Sequence, residues 1–113
     1  MALRDRFPKT ETVDALGGQV VIIPVDYEQW VELQEWVAES SLEEKATKRE
    51  RTRWLNEFAM KCIQYACPNE ELTDDESRIA FKSSGGMTGL LAQKSMAACG
   101  HPMEVGTAKN LPT

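Results

Sequence analysis

Between Trp54 and Ala66 the chain places apolar residues with the period of an α-helix. Trp54, Leu55, Phe58, Ala59, Cys62, Ile63 and Ala66 advance by steps of one and three, which lays them in a single stripe. The residues just upstream, 42–53, are mostly charged, and no Gly or Pro interrupts 42–67. The pattern predicts one long helix over 42–67 that starts in solvent and ends in the core. Ser41 is its expected cap. Glu43 and Glu44 would occupy its first turn, where negative charge suits the helix dipole, and Glu44 would pair with Lys48 at i,i+4.

The remaining elements follow from similar signals. The run 11–16 and the β-branched run 19–25 flank Gly17-Gly18, a hairpin signal because glycine supplies the positive φ of tight turns. Pro24 belongs at the strand's end or on an edge, since it lacks a backbone donor. A hairpin alone is marginal, so it must pack on helices or pair with another chain's edge. Asp26 and Gln29 form a capping-box-like pair at the start of a short amphipathic helix carrying Trp30, Leu33, Trp36 and Val37. Cys67-Pro68-Asn69 stops the long helix. Leu72, Thr73 and Glu76 read as staple, cap and capping-box partner of a third helix that runs through Ile79, Ala80 and Phe81. Ser83-Ser84-Gly85-Gly86 breaks it. A last helix over 87–99, with Thr88 as a possible cap, ends at Gly100 and Pro102. The expected fold is mainly α (α+β): an N-terminal hairpin followed by about four helices, one of them long.

At 113 residues, 42% hydrophobic and 27% charged, the composition fits one folded domain. We place that domain at 11–102, between a flexible arm over 1–10 and an irregular tail over 103–113. A net charge of −5 argues against nucleic acid as a partner, because phosphate binding depends on Lys and Arg. The charge is uneven, however. Lys45, Lys48, Arg49, Arg51 and Arg53 make a basic segment, and Glu70, Glu71, Asp74, Asp75 and Glu76 an acidic one. Each reads either as a solvated surface or as an electrostatic patch that orients a partner or a second copy. The longest apolar run, 20–25, is too short to span a bilayer, and no apolar segment follows the charged N-terminus as in a secretory signal. Cys62, Cys67 and Cys99 are odd in number and form no CxxC pair, so reduced thiols in a cytosolic setting are the default.

Catalytic and metal signals are weak. Cys99 and His101 supply two candidate ligands where structural zinc wants four, and a Cys–His nucleophile pair would need a third group to orient the base. Asp74, Asp75 and Glu76 are explained by the start of a helix and lack the spacing of a calcium loop. The glycines around Ser83–Gly89 lack the Lys of a P-loop and follow a helix, so a turn is the simpler reading. No catalytic, cofactor-binding or metal-binding residue is assigned. Interaction surface remains. Trp30, Trp36 and Trp54 are expected mostly in the core. Trp36, out of phase with its neighbours, is the one expected at an interface. Met87, Met96 and Met103 read either as core filler or as an adaptable apolar surface. The candidate partner-binding residues are Trp36, Arg49, Arg51, Met87, Leu90, Leu91 and Met96.

The order of features has a parallel. A strand running Val20-Val21-Ile22-Ile23-Pro24-Val25 joins its helix through Asp26-Tyr27-Glu28-Gln29-Trp30. An acidic LTDDE start follows at Leu72–Glu76, then a small-residue helix ending in Gly, then AKNL at Ala108–Leu111. Over Val13–Leu111 this resembles the tail assembly chaperones of long-tailed bacteriophages. It departs from them at Pro68-Asn69, where family members often have a Gly, and at Gly85-Gly86. The resemblance implies a small, largely helical, non-enzymatic protein of the host cytoplasm that is absent from the finished virion. It implies that the protein binds the tape-measure protein, a long apolar helical chain, keeps it soluble, self-associates, and helps recruit tail-tube protein. Many such chaperones also have a longer, frameshifted form. The competing readings are a structural virion protein, such as a head–tail connector or minor tail protein, and a small thiol or metal enzyme using Cys99 and His101.

Overall fold

The structure, a computed structural model, describes residues 2–101. It is a mainly α fold with an N-terminal antiparallel hairpin, as the pattern predicts. Strands β1 (Glu11–Ala15) and β2 (Gly18–Ile22) are followed by helices α1 (Tyr27–Glu39), α2 (Lys48–Ala66), α3 (Asp74–Ser83) and α4 (Leu90–Ala98). Ahead of the hairpin, Leu3–Arg6 form one exposed 3-10 turn. The expected tail, with Pro102 and Met103, lies outside the described residues.

In the hairpin Val13 pairs with Val20 and Glu11 with Ile22. Val13, Val20 and Ile22 are buried on one face. The turn sits one residue earlier than Gly17-Gly18: Leu16 (φ 57°) and Gly17 (φ 76°) occupy it, and Gly18 already belongs to β2. Two consecutive positive φ values are the geometry of the tight hairpin turn that matches strand twist. Beyond β2 the backbone serves the helix ends. Ile23 N–H donates to the Ala66 carbonyl (2.8 Å) and Val25 N–H to the Ala98 carbonyl (3.1 Å). These bonds satisfy carbonyls that a helix C-terminus leaves without partners. Pro24, which has no backbone donor, falls between the two donors.

Three helices open on reciprocal capping boxes: Asp26 with Gln29, Thr47 with Glu50, and Thr73 with Glu76. The second corrects the expected long helix. Its start is Lys48 and its cap Thr47, not Ser41. Two boxes compete in the sequence, Ser41 with Glu44 and Thr47 with Glu50. Ser41 is taken, because its hydroxyl donates to the Val37 and Ala38 carbonyls at the end of α1 (both 3.1 Å). Residues 41–45 are exposed, so little burial would offset the entropy of extending the helix through them. The helical Glu44–Lys48 pair is therefore not formed. Arg51 instead folds back, its guanidinium donating to the carbonyls of Glu44 (2.9 Å) and Ala46 (3.2 Å).

α2 is the central element and packs most extensively on α4 and α3. Phe58, Ala59, Cys62, Ile63 and Ala66 form its buried stripe, as the spacing predicts. On α3 the buried positions are Ser77, Ala80 and Phe81, whereas Ile79 is 62% exposed. Between α3 and α4 the chain doubles back on itself. A Cβ on Gly89 would lie 2.1 Å from the Ser84 carbonyl oxygen, so only glycine fits that crossing. The crossing also starts α4 later than expected. Gly89 is the cap residue, and the Thr88 hydroxyl donates to Gly85 O instead. At the other end Gly100 (φ 84°) lets His101 N–H reach Met96 O (2.8 Å) and its own N–H reach Ala97 O (3.0 Å), a Schellman closure.

Candidate partner-binding groove

The seven residues expected to bind a partner do not form one surface. Leu91 and Met96 are each 2% exposed and belong to the core, because α4 turns that face toward α2. Met87 is half-buried against the same core. Trp36 is half-buried and lines a shallow depression with Glu57, Met60 and Asp74. Its ring stacks on Trp54 at 5.6 Å and lies 6.2 Å from Phe58, joining α1 to α2. Trp54 Nε1–H completes the junction by donating to Ser40 Oγ (2.8 Å). Trp30, expected inside, is 40% exposed and stacks on Tyr27, itself 73% exposed. Arg51 is engaged with the turn before α2. Arg49 and Leu90 remain exposed.

Arg49 lies in a groove that residue types alone did not indicate. α2 and α3 diverge to leave an open trough of about 940 Å³. Met60 and Phe81 line it with apolar surface, and Thr52 and Asn56 with small polar surface. Its rims carry Lys48, Arg49 and Arg53 from α2 and Arg78 and Lys82 from α3, against Glu57 as the acidic lining residue. Arg78 pairs with Asp75 at 3.6 Å; Lys48, Arg49, Arg53 and Lys82 have no ion-pair partner among the described residues. A protein of net charge −5 thus concentrates cations around one apolar slot. The signal was present as a second helical stripe on α2: Arg49, Arg53, Asn56 and Met60 recur at steps of three and four, opposite Arg78 and Lys82 on α3.

The thiols and the histidine sit elsewhere. Cys62, Cys67 and Cys99 are buried and unbridged. Cys99 Sγ donates to the Cys62 carbonyl at 3.6 Å. The Cys62 thiol is pushed up by its contact with the Cys99 thiol and by burial, and burial pushes Cys67 up to about 11. Those two thiols stay protonated at neutral pH, which leaves them poor nucleophiles. His101 packs edge-on against Phe58 at 5.0 Å and pairs with Gln34 Nε2 at 3.1 Å. With the Gln34 amide donating, His101 Nε2 accepts and the ring is neutral. Burial lowers the His101 pKa in the same direction. Among the described residues, no three His, Cys, Asp or Glu side chains converge as a metal site. Among them too, no helix is long and apolar enough to cross a membrane. No protein-family model, characterised protein or solved structure shows significant similarity to the chain.

Proposed function

We propose that this chain is a tail assembly chaperone of a long-tailed bacteriophage, acting by binding and not by catalysis. In this reading it works in the host cytoplasm, holds the tape-measure protein in solution, helps bring tail-tube subunits to it, and is left out of the finished particle. The observation that carries the binding role is the α2–α3 groove. It is a slot between two helices with a methionine and a phenylalanine in its lining, and such slots take an amphipathic helix through its apolar stripe. Methionine adapts its shape to varied apolar side chains, which suits a client that offers many similar segments. The phage assignment is supported by the strings at Val20–Trp30, Leu72–Glu76 and Ala108–Leu111.

Co-expression with the tape-measure protein of the same phage tests the reading. The expected outcome is a soluble tape-measure protein that co-purifies with the chain, and an insoluble one without it. A tape-measure protein equally soluble alone would overturn the proposal. Detection of the chain in mature particles by mass spectrometry would replace it with a structural virion role.

A further inference from the structure

The α2–α3 groove continues beyond its own mouth. A smaller depression adjoins it, and Glu57, Met60 and Arg78 line both. The depression adds Lys61, Gln64 and Asp74, and half-buried Trp36 of α1 completes its lining. The two form one face along α2 from Lys48 to Lys61, about 20 Å of helix at about 1.5 Å per residue. Phe81, Met60 and Trp36 give it apolar surface. Lys48, Arg49, Arg53 and Lys61 from α2 and Arg78 and Lys82 from α3 surround that surface, against Glu57 and Asp74. Arg78 reaches Asp75 at 3.6 Å, an exposed pair of little strength, and the other cations have no ion-pair partner among the described residues. The acids nearby are engaged or turned elsewhere. Asp74 accepts from Gln64 Nε2 (3.0 Å), Glu76 closes its capping box with Thr73, and Glu70 lines a separate cavity beside Leu16, Val20 and Leu91.

We propose that this face takes an acidic amphipathic helix, one whose apolar stripe is flanked on both sides by aspartate and glutamate. The inference rests on the groove being the client site and states what a client segment must present there. The slot between two helices accepts the stripe, Met60 adapts to its side chains, and Trp36 supplies a rigid aromatic anchor at one end. Charge selects the flanks. Lys48, Arg49 and Arg53 stand on the α2 rim and Arg78 and Lys82 on the α3 rim. A helix lying in the slot therefore meets positive charge on both sides. Acidic flanks pair with both rims, whereas lysine flanks meet like charge along the whole length. The 20 Å face matches about 13 helical residues, nearly four turns. Nucleic acid fits less well. Phosphates would use the rims and leave Met60 uncovered. Bases need an open aromatic platform, but Phe81 is 5% exposed and Trp36 is stacked on Trp54. The net charge of −5 also opposes a phosphate backbone elsewhere on the chain.

Fluorescence anisotropy on the full chain tests this with labelled peptides of about 18 residues, long enough to cover the face. One carries leucine at helical spacing with glutamate on both flanks, one has lysine in place of the glutamate, and one scrambles the order of the first. The acidic peptide should bind in the micromolar range, at least about tenfold tighter than either of the others. Its affinity should fall about tenfold between about 0.05 M and about 0.5 M salt. Arg49→Glu with Arg53→Glu changes two exposed positions and should leave the circular dichroism spectrum unaltered. That variant should bind the acidic peptide about tenfold more weakly and the lysine peptide more tightly. Equal affinity for all three peptides, preference for the lysine peptide, or an unchanged preference in the double variant overturns the proposal. So does a single-stranded oligonucleotide that displaces the acidic peptide at equal concentration, or a dimer of the chain that excludes it. Tape-measure co-purification separates this inference from the chaperone reading. A chain that holds the tape-measure protein yet ignores the acidic peptide keeps its function and loses the inference. A chain that binds the acidic peptide but leaves the tape-measure protein insoluble loses the function and keeps the ligand chemistry of the face.

Discussion

Phe58 holds α1 on the rest of the molecule, and its removal should be costly by a calculable amount. Its ring is 5% exposed and sits among three others: Trp54 stacked at 5.6 Å, Trp36 at 6.2 Å and His101 edge-on at 5.0 Å. Phe58→Ala takes about 150 Å² of apolar surface out of the core, or about 3.8 kcal/mol at about 25 cal/mol per Å². Lost ring–ring contacts add to this, while partial collapse of Trp36 into the space returns some. The expected cost is about 4 kcal/mol, within the usual range for Phe→Ala. At about 4 °C per kcal/mol for a chain of this length, the melting temperature should fall by about 16 °C. Far-UV circular dichroism would give the midpoint. Tryptophan emission should shift to the red, because Trp36 and Trp54 lose their cover. Ile79→Ala, at a 62% exposed site, is the control and should cost under about 0.5 kcal/mol. A Phe58→Ala chain that melts within about 5 °C of the parent would refute the claim that this stack joins α1 to α2.

Three further outcomes are expected. Thr47→Ala should cost about 1 kcal/mol by thermal melting and Ser41→Ala under about 0.5, and the reverse ranking would return the start of α2 to residue 42. Leu16→Asn should raise stability by about 0.5–1 kcal/mol in urea titrations, because Leu16 holds φ 57° at 54% exposure and asparagine accepts that backbone more readily. If it destabilises, the turn is not at Leu16-Gly17. The third concerns pH. Burial depresses the folded-state pKa of His101 below its ordinary 6.5. Between the two values the unfolded chain binds more protons, so stability should be level above about pH 6.5 and fall on acidification through that window. The difference between wild type and His101→Gln should carry that slope, and identical pH profiles would remove His101 as its source.

Local signals determined most of the secondary structure from residue order. Each capping box satisfies its own orphan amides within four residues, so Asp26–Gln29 and Thr73–Glu76 could be read directly, as could the glycine closure at Gly100. The stripe from Phe58 to Ala66 was legible for the same reason: period alone marks a buried face. What period cannot decide is which of two valid local choices the rest of the chain supports. Thr47 beat Ser41 as a cap because the end of α1 already engages the Ser41 hydroxyl, a fact about a neighbouring element. Trp36 is half-buried and Trp30 exposed because α2 approaches α1 where Trp54 and Phe58 can stack on Trp36. Leu91 and Met96 are buried because α4 turns that face onto α2, and a short helix does not say which side its neighbour will cover. The groove is the clearest case. Its cations lie on two helices separated in sequence by a 3-10 turn, and each set alone reads as an ordinary solvated face. Only the antiparallel packing of α3 on α2 sets those charges around one apolar slot, because charge density belongs to a surface and a surface exists only once the chain has folded.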